Sequence, residues 1–380
     1  MAKKPAPPPT HRPAAPKAAP TPPKAAPVAA PAVPLRKKLE ALPSLSPGRA
    51  SPAGPKSGVV IVGSLNMDLI ARTEVMPLPG QTVMGQDLVQ SPGGKGANQA
   101  AAAGKLWTKR SAGSRLIGRT GEDLFADQIL AALTKAKVDT ASVLRSRHAP
   151  TGTAMVVVDR HGENAIVVAG GANRLLTATD LLAQRKTIEA AVVLSVQLEI
   201  PYDTVACGIA LAKRSNVLTI LDPAPAPPEG LPESLYHVDI LTPNQTEAQL
   251  LTGIPVRTAD DARRAAERFL LRGTRIVIVK MGSQGAVIVQ RPEEQGKVAA
   301  AGTVVKHVSG FRVPVLDTTG AGDAFNAALA VGLAEGMPLE QAARFANAAG
   351  ALTCTKRGAL AAMPPRAEVE ALLAGTWVKP

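Results

Sequence analysis

The sequence predicts an α/β domain with a mostly parallel central sheet that helices cover on both faces. Short apolar runs typical of buried parallel strands recur along the chain, at residues 59–62, 191–194, 217–221, 238–241 and 275–279. Segments with the apolar spacing of amphipathic helices lie between or after them, at residues 122–136, 203–214, 260–271 and 339–352. This alternation of strand and helix predicts one doubly covered sheet.

The first 57 residues differ in composition from the rest of the chain. They hold 16 of the 34 prolines and ten Lys or Arg against one acid, Glu40, so they carry +9 of the net charge of +13. Such a segment buries too little apolar surface to offset its ordering entropy, which predicts a disordered, partly polyproline-like tail. A solvated extension is the simpler interpretation, and a weak, salt-sensitive attraction to nucleic acid is the alternative.

Composition also argues against several classes of protein. No window of the chain is long and apolar enough to span a bilayer, and the tail lacks the apolar segment of a secretory signal. Cys207 and Cys354 belong to no metal-ligand spacing, which predicts reduced, buried thiols in a cytoplasmic protein. Aromatic residues make up only 2% of the chain, which weakens the case for a base-stacking surface.

Two stretches of the body, near residues 69–90 and 153–168, interrupt the alternation of strand and helix. The first has the turn Pro77-Leu-Pro-Gly80 between short strand-like pieces, and the second has apolar runs on both sides of Arg160-His-Gly-Glu163, as in a β-hairpin. Together they predict a small additional sheet. It would serve either as a lid over a site or as an edge extension of the main sheet.

Residues 313–323 (VPVLDTTGAGD) predict a strand that ends in a glycine turn and opens a helix. The free N–H groups of such a turn and the helix dipole favour an anion. Asp323 follows the turn directly, where the same field favours the ionised carboxylate, so it could serve as a base beside a bound phosphate. Alternatively, Asp323 only caps the helix. This segment alone leaves the two interpretations equal.

Polar residues that suit a polyhydroxylated ligand occur in two further motifs. Asn66 and Asp68 of GSLNMD follow the first predicted strand, at the end where α/β sheets bind ligands, although an Asx turn explains this segment more simply. The run GGKGANQA at residues 93–100 allows close backbone approach and places Asn98 in the first turn of a helix. Because the Walker spacing is absent, we interpret it as a sugar-binding helix start, the alternative being a tight turn with a solvated Lys95.

Three more segments carry polar groups at predicted strand ends. In TPNQTE, Asn244 and Glu247 share one helical face, and Glu247 either orders a hydrated Mg²⁺ or completes a capping box. Residues 280–285 (KMGSQG) have the composition of a nucleotide-binding loop, and equally that of a hairpin turn. Glu199 adds a carboxylate after the strand at 191–194.

Taken together and in this order, the motifs resemble the ribokinase-like carbohydrate kinase family from about Gly58 to about Pro365. The most specific segments are GSLNMD, PLPGQTVMG, GGKGANQAAAAG, GENAIVVAGGAN, QLE, DPAPA, TPNQTEAQLLTG, GSQGAVIV and DTTGAGDAFNAAL. The resemblance implies a three-layer α/β/α kinase domain at residues 58–375 with a small β-sheet lid. It also implies ATP-dependent phosphorylation of D-ribose at O5. Another furanose such as 2-deoxyribose is the alternative acceptor, and a non-catalytic sugar-binding protein on the same fold is the alternative of another class.

The resemblance also implies roles for individual residues. Asp323 would take the proton from the O5 hydroxyl, and the anion hole around the transferred phosphate would be formed by Gly320, Ala321 and Gly322. Sugar contacts are implied at Asn66, Met67, Asp68, Gly94, Lys95, Gly96, Ala97, Asn98 and Glu199. Nucleotide contacts are implied at Asn244, Lys280, Met281, Gly282, Ser283, Gln284, Gly285, Gly322 and Asn347.

Two cations and a second subunit are further implications of the resemblance. Mg²⁺ would accompany ATP and be held through water by Glu247. K⁺ would be an activator bound by Asp317, Thr319, Thr353, Lys356 and Gly358. Ala362 stands where the family usually has a side-chain oxygen, which predicts weaker K⁺ activation, and residues 105–115 are more basic than the family pattern. The family lid commonly pairs with a second subunit, which implies a homodimer.

Overall fold

The computed structural model describes residues 56–108, 113–294, 297–298 and 302–378. Residues 1–55 of the tail lie outside the described residues, so the structure does not test the prediction that the tail is disordered. Residues 109–112 of the basic stretch at 105–115 lie outside them as well.

Sixteen strands and eleven α-helices are found in the described residues. The strands are β1 (Val59–Val62), β2 (Asn66–Thr73), β3 (Gly85–Gly93), β4 (Ser114–Gly121), β5 (Val138–Asp139), β6 (Val143–Ser146), β7 (Gly152–Val158), β8 (Asn164–Ala169), β9 (Val193–Val196), β10 (Leu218–Leu221), β11 (Ile240–Leu241), β12 (Ile276–Lys280), β13 (Ala286–Gln290), β14 (Glu293–Glu294), β15 (Lys297–Val298) and β16 (Val304–Val308). The helices are α1 (Lys95–Leu106), α2 (Leu124–Lys135), α3 (Ala178–Ala183), α4 (Arg185–Glu189), α5 (Tyr202–Arg214), α6 (Glu233–Tyr236), α7 (Gln245–Thr252), α8 (Ala259–Leu271), α9 (Ala321–Ala334), α10 (Leu339–Thr353) and α11 (Arg366–Leu373).

The main sheet has ten strands in the order β16-β13-β12-β11-β10-β9-β1-β4-β5, with β6 beside β4. All pairs are parallel except β12–β13 and β13–β16. The four residues of β1 are at most 1% exposed, because both faces of the sheet are covered. The carboxyl ends of β1, β9, β10, β11 and β12 therefore meet at one edge, where α/β sheets bind ligands.

Helices cover the two faces of this sheet with different partners. On one face α1, α9 and α10 pack on one another, and their alanine-rich surfaces share a core with Val59, Ile61 and Val193. On the other face α5 packs against β9 and β10, and α8 against β12 and β13. The small side chains of α1 and α9 let these two helices approach each other closely. Both helices begin near the ligand-binding edge of the sheet.

A second sheet of four strands has the order β3-β2-β7-β8 and is separate from the main sheet. Strands β2 and β7 are parallel, and the two outer pairs are antiparallel. An additional sheet was therefore predicted correctly, and the alternative of an edge extension is wrong. Its strand β2 begins at Asn66, only three residues after β1 ends, so the base of this sheet lies beside the carboxyl edge of the main one.

Most predicted strands and helices occur within two residues of their predicted bounds, but the strand expected at 313–317 is absent. Residues 311–317 form a loop in which Val315 is 66% and Leu316 is 56% exposed. The loop does not join the edge strand β16. Its backbone is held instead by bonds from the amides of Leu316 and Asp317 to the carbonyl oxygen of Cys354.

Candidate active site

A cavity of about 840 Å³ lies at the carboxyl edge of the main sheet. Lys95, Asp222 and Asp323 line one part of it, and the loops at 282–285 and 310–315 line another. We call the group Ser64, Asn66, Asp68, Lys95, Asn98, Asn173 and Glu199 the polar end of the site. The loop end comprises residues 280–285 and 310–319 together with Asn244, Glu247 and Asn347.

The glycine turn positions Asp323 between the two ends. Gly320, with φ 77°, is the N-cap of α9, and no side chain caps this helix start. Asp323 is the third residue of the helix, and its carboxylate accepts bonds from Asn98 Nδ2 (2.9 Å) and Gln99 Nε2 (3.3 Å) of α1. The interpretation of Asp323 as a simple helix cap is therefore wrong.

Burial sets the proton affinity of Asp323, which is 6% exposed. Burial raises the pKa of the carboxyl above its ordinary value and Asp222 adds to this rise, although Lys95 and the hydrogen bonds from Asn98 and Gln99 oppose it. We expected the helix terminus to favour the ionised form, but desolvation dominates. A carboxylate with a raised pKa is a stronger proton acceptor, as a general base requires.

The polar end is a network around Glu199. Glu199 Oε2 accepts bonds from Ser64 Oγ (2.5 Å), the backbone amide of Lys95 (3.1 Å) and, at 3.5 Å, Asn66 Nδ2. Asn66 Oδ1 in turn accepts a bond from Asn173 Nδ2 (2.7 Å), and this bond fixes the orientation of the Asn66 amide. Asn66 belongs to β2, so the Asx-turn interpretation is wrong.

Asp68 and Lys95 are titratable groups of this end, and the pKa of each is raised. Burial, followed by the charges of Glu199 and Asp323, raises the pKa of Asp68 to about 7. For Lys95, burial alone would lower the pKa, but Asp323, Asp222 and Glu199 together raise it, so the ammonium stays protonated. Lys95 lines the cavity and is partly buried, which makes the interpretation of a solvated lysine wrong.

The backbone passes very close to itself before α1. Gly94 has φ 88°, and a Cβ there would lie 2.7 Å from the Asn66 nitrogen, so only glycine fits. Gly96 is packed equally tightly against Gly63. Met67 and Ala97 are completely buried, and their side chains belong to the hydrophobic core, so only their backbone atoms remain available for the predicted sugar contacts.

The loop end contains the capping box that the sequence left open. Asn244 caps α7: its Oδ1 accepts a bond from the Glu247 amide (2.8 Å), and Glu247 Oε2 accepts one from the Asn244 amide (2.8 Å). The capping interpretation is confirmed. Burial raises the pKa of Glu247 and Lys280 lowers it, with a net rise, and Glu247 also lines the cavity.

Residues 280–285 form the turn between β12 and β13, so the hairpin interpretation is confirmed as well. The residues of this turn that line the cavity are Lys280, Gly282, Ser283 and Gly285. Met281 is 2% exposed and packed inside, and Gln284 donates from its side chain to the Arg257 carbonyl, so the cavity wall includes neither. Asn347 lines the cavity and donates to the carbonyl oxygens of Val308 (3.0 Å) and Ser309 (3.2 Å).

The five residues predicted for K⁺ are only partly brought together. Asp317 accepts bonds from the Thr319 amide and hydroxyl and from the Gly358 amide, at 2.6–2.9 Å. Thr353 Oγ1 donates within its own helix, and Lys356 pairs with Glu368. Cys354, predicted to be buried, is only partly so and lines the cavity, whereas Cys207 is buried; both thiols are reduced.

Sequence reasoning missed Asp222, Gln99 and Asn173. Asp222 is 1% exposed and forms an ion pair with Lys280 (2.8 Å) inside the site. It directly follows β10, so the rule that polar residues at strand ends face the ligand could have identified it. Gln99 and Asn173 lie within two of the quoted motifs, but they act through contacts with residues far away in the chain, which no local pattern reveals.

The described residues contain no cluster of three or more His, Cys, Asp or Glu side chains that could hold a metal ion. A magnesium site with few direct carboxylates, as Mg²⁺ prefers, is compatible with this finding. None of the described helices is both long and apolar enough to cross a membrane.

The fold and the site define a sugar kinase, and comparisons with known proteins agree. The model of the pfkB family of carbohydrate kinases matches residues 56–366. The chain belongs to this family, so the predicted fold class and family are confirmed.

Three related proteins describe the similarity more closely. The ribokinase of Bacillus subtilis (strain 168) is 37% identical over 317 residues, covering 83% of this chain and 99% of the relative. The deoxyribokinase of Salmonella typhimurium is 32% identical over 306 residues, covering 80% and 95%. The solved structure of Arabidopsis thaliana ribokinase complexed with ribose and ATP has a TM-score of 0.74 and 33% identity, covering 84% and 99%.

Proposed function

We propose that this protein transfers the γ-phosphoryl group of ATP to O5 of D-ribose, giving D-ribose 5-phosphate and ADP. The observation that carries the proposal is the position of Asp323, a buried carboxylate between a polar network and an open cavity at the start of α9. The ribokinases among the relatives support ribose as the acceptor, and the Arabidopsis complex supports ribose and ATP as the ligand pair.

In the proposed mechanism Asp323 accepts the O5 proton as the oxygen attacks the phosphorus. No side chain caps this helix start, so the backbone N–H groups of Gly320 and Gly322 are available to the charge on the transferred phosphate, whereas that of Ala321 donates to the Thr318 carbonyl (3.2 Å) within the turn. Lys280 adds a positive charge close by: its Nζ lies 3.6 Å from the position of a Cβ on Gly322. Phosphoryl transfer depends mainly on such positioning and charge stabilisation.

The polar end would hold the sugar before the reaction. The carboxylates of Asp68 and Glu199 accept bonds from sugar hydroxyls, and the amides of Asn66 and Asn98 donate and accept them. Asn98 Oδ1 is buried and has no hydrogen-bond partner among the described residues. A sugar hydroxyl is the kind of donor this oxygen lacks.

The residues at the loop end fit an ATP-bound Mg²⁺ and, more weakly, K⁺. Glu247 presents a partly exposed carboxylate to the cavity and would hold hydrated Mg²⁺, which supplies charge neutralisation between the phosphates. Asp317, Thr319 and Gly358 would surround K⁺, partly through backbone carbonyls. Ala362 offers no side-chain oxygen there, so we expect weak activation by K⁺.

A coupled ADP-release assay with ATP and Mg²⁺ over a panel of sugars, with and without K⁺, tests the function. We expect ribose to give the highest kcat/KM, with 2-deoxyribose slower. A clear preference for 2-deoxyribose would favour the activity for which the Salmonella relative is named. If no sugar released ADP, the non-catalytic alternative would replace the enzyme.

The small sheet is proposed to act as the lid of a domain at residues 58–375 and as a dimer surface. Val89, Ile70, Val156 and Ile166 stand in register across its four strands, on the same face as Asp68. Ile166 is 55% exposed in the single chain, and a second copy would cover this row. Sedimentation of the wild type and of Ile166→Lys tests this, and a monomeric wild type would refute the dimer.

The proline-rich tail and the location in the cell remain predictions. We expect residues 1–57 to have no part in catalysis, so their deletion should leave the kcat unchanged. The reduced thiols of Cys207 and Cys354 suit a reducing compartment such as the cytoplasm. Salt-dependent nucleic-acid binding that disappears with the tail would support the alternative role.

A further inference from the structure

The Gln99 side chain is completely buried, and its amide group uses its full hydrogen-bonding capacity. Its Oε1 accepts bonds from Ser195 Oγ (2.8 Å) and Gln197 Nε2 (2.7 Å). Its Nε2 donates one hydrogen to Asp222 Oδ2 (3.2 Å) and the other to Asp323 Oδ1 (3.3 Å). Two donors on one side and two carboxylates on the other permit only this orientation of the amide.

Gln99 thereby joins the two ends of the site. Asp323 is the proposed base and faces the sugar, whereas Asp222 holds Lys280, the ammonium beside the anion hole. A single nitrogen thus lies between two buried carboxylates that would otherwise repel each other. Ser195 and Gln197, which come from β9 and the residue after it, fix the amide from behind.

We propose that Gln99 is a positioning residue that sets Asp323 and the Asp222–Lys280 ion pair in a fixed relation to each other. The carboxylate of Asp323 is then held at the attacking oxygen while the ammonium of Lys280 is held at the transferred phosphate, with a fixed distance and angle between the two groups. The inference rests on the proposed kinase function and adds to it a residue that contacts neither substrate.

A consequence for proton affinity follows from the surroundings of Asp323. The charged groups of the site that surround it are Lys95, Asp68, Asp222, Glu199, Lys280 and Glu247. The bond from Gln99 lowers the pKa of Asp323, whereas the charge of Asp222 raises it. Loss of the Gln99 donors therefore raises the pKa of the base, and less of it is ionised at pH 7.

Replacement of Gln99 by Met, which keeps the volume and removes all four bonds, tests the proposal. We expect kcat with the best sugar of the panel to fall by about ten- to a hundredfold at pH 7, with the KM for that sugar changed less than about threefold. The acid limb of the kcat profile should move to higher pH by about one unit, a tenfold effect on the ionised fraction. Ser195→Ala, which removes one of the two donors behind the amide, should shift both quantities in the same direction by less.

A titration of the Asp323 carboxyl by ¹³C NMR, in protein without ligands, gives a second measurement that needs no turnover. A higher pKa in Gln99→Met, or in Ser195→Ala should the first variant not fold, supports the proposal. An unchanged pKa and pH profile, with activity lost only in proportion to folded protein, would reduce Gln99 to a structural residue and overturn it. If the wild type phosphorylates no sugar, the kinase function fails, whereas the titration still decides the Gln99–Asp323 coupling.

Discussion

Side chains from β2, α1, the turn at Asn173 and the residues after β9 hold the polar end of the site in one hydrogen-bonded network, whereas turns and backbone form most of the loop end. The glycines do not distinguish the two ends, because a Cβ on Gly94 would lie 2.7 Å from the Asn66 nitrogen and one on Gly285 would lie 2.1 Å from the Val308 carbonyl oxygen. The difference lies in the side chains: their network arranges the polar end before any ligand binds. A small sugar with many hydroxyls needs a binding site whose hydrogen-bonding groups are already in place, more than a nucleotide does.

Asp323 belongs to neither end, and its replacement by Asn should separate chemistry from binding. We expect kcat to fall by about 10²–10⁴-fold, the usual contribution of a general base, because an amide cannot accept the O5 proton. Ribose and ATP should still bind, since both ends keep their own contacts. Steady-state kinetics and calorimetric titration of each ligand measure this, and thermal unfolding controls for damage to the bonds from Asn98 and Gln99. Activity near that of the wild type would exclude Asp323 as the base.

The sequence predicted the two ends unequally well. Strand-end rules and motif resemblance found Asn66, Asp68, Glu199 and Asp323, because these residues lie beside local signals such as apolar runs and glycine turns. They did not find Asn173, which acts across more than a hundred residues of chain on Leu65 and Asn66. No local pattern contains such a contact.

At the loop end the failures have another cause. The strand expected at 313–317 has the right composition, but its backbone bonds the Cys354 carbonyl and not the edge strand β16, so tertiary context overrides its propensity. Met281 and Gln284 were predicted to contact nucleotide because they lie within a motif. In a hairpin turn, however, neighbouring side chains point in different directions, and only some of them reach the cavity.

Asp68 at the polar end and Asp317 at the loop end should respond to pH in opposite ways. The pKa of Asp68 is raised to about 7, so the stability linked to this group is present below about pH 4 and is lost as the pH rises through 7. Asp68→Asn should therefore be more stable than the wild type at pH 8, by up to about 4 kcal/mol, with the difference vanishing near pH 4. Urea unfolding of the ligand-free proteins across this range measures it. If the difference in unfolding free energy between the two proteins were the same at every pH, it would contradict the raised pKa of Asp68 in the folded protein.

Asp317 at the loop end provides the matched control. Burial alone would raise its pKa, but bonds from Thr319 and Gly358 hold the pKa below its ordinary value. The stability linked to Asp317 is therefore present at neutral pH and is lost as the pH falls below about 4. Asp317→Asn should destabilise the protein at pH 7 and have less effect in acid, the reverse of Asp68→Asn. Two variants with the same pH dependence would remove the electrostatic distinction between the two ends.

A pair of identical substitutions gives the finest comparison. Asn173 at the polar end is 1% exposed and makes three bonds, to the amide and carbonyl of Leu65 and to Asn66 Oδ1. Asn347 at the loop end is 8% exposed and donates to the carbonyl oxygens of Val308, the last residue of β16, and of Ser309 after it. Asn173→Ala frees the Asn66 amide and leaves the buried amide and carbonyl of Leu65 without this partner. We therefore expect the KM for ribose to rise about ten- to a hundredfold, and the KM for ATP to stay within about twofold of the wild-type value. Asn347→Ala should do the reverse to a smaller extent, because Asn347 makes two hydrogen bonds where Asn173 makes three and is the more exposed of the two. Kinetics with each substrate varied at saturation of the other measure both, with unfolding free energies to confirm that each variant is folded. Should Asn173→Ala raise both KM values equally, the polar end would not be a separately organised sugar site but part of a general support for the whole cavity.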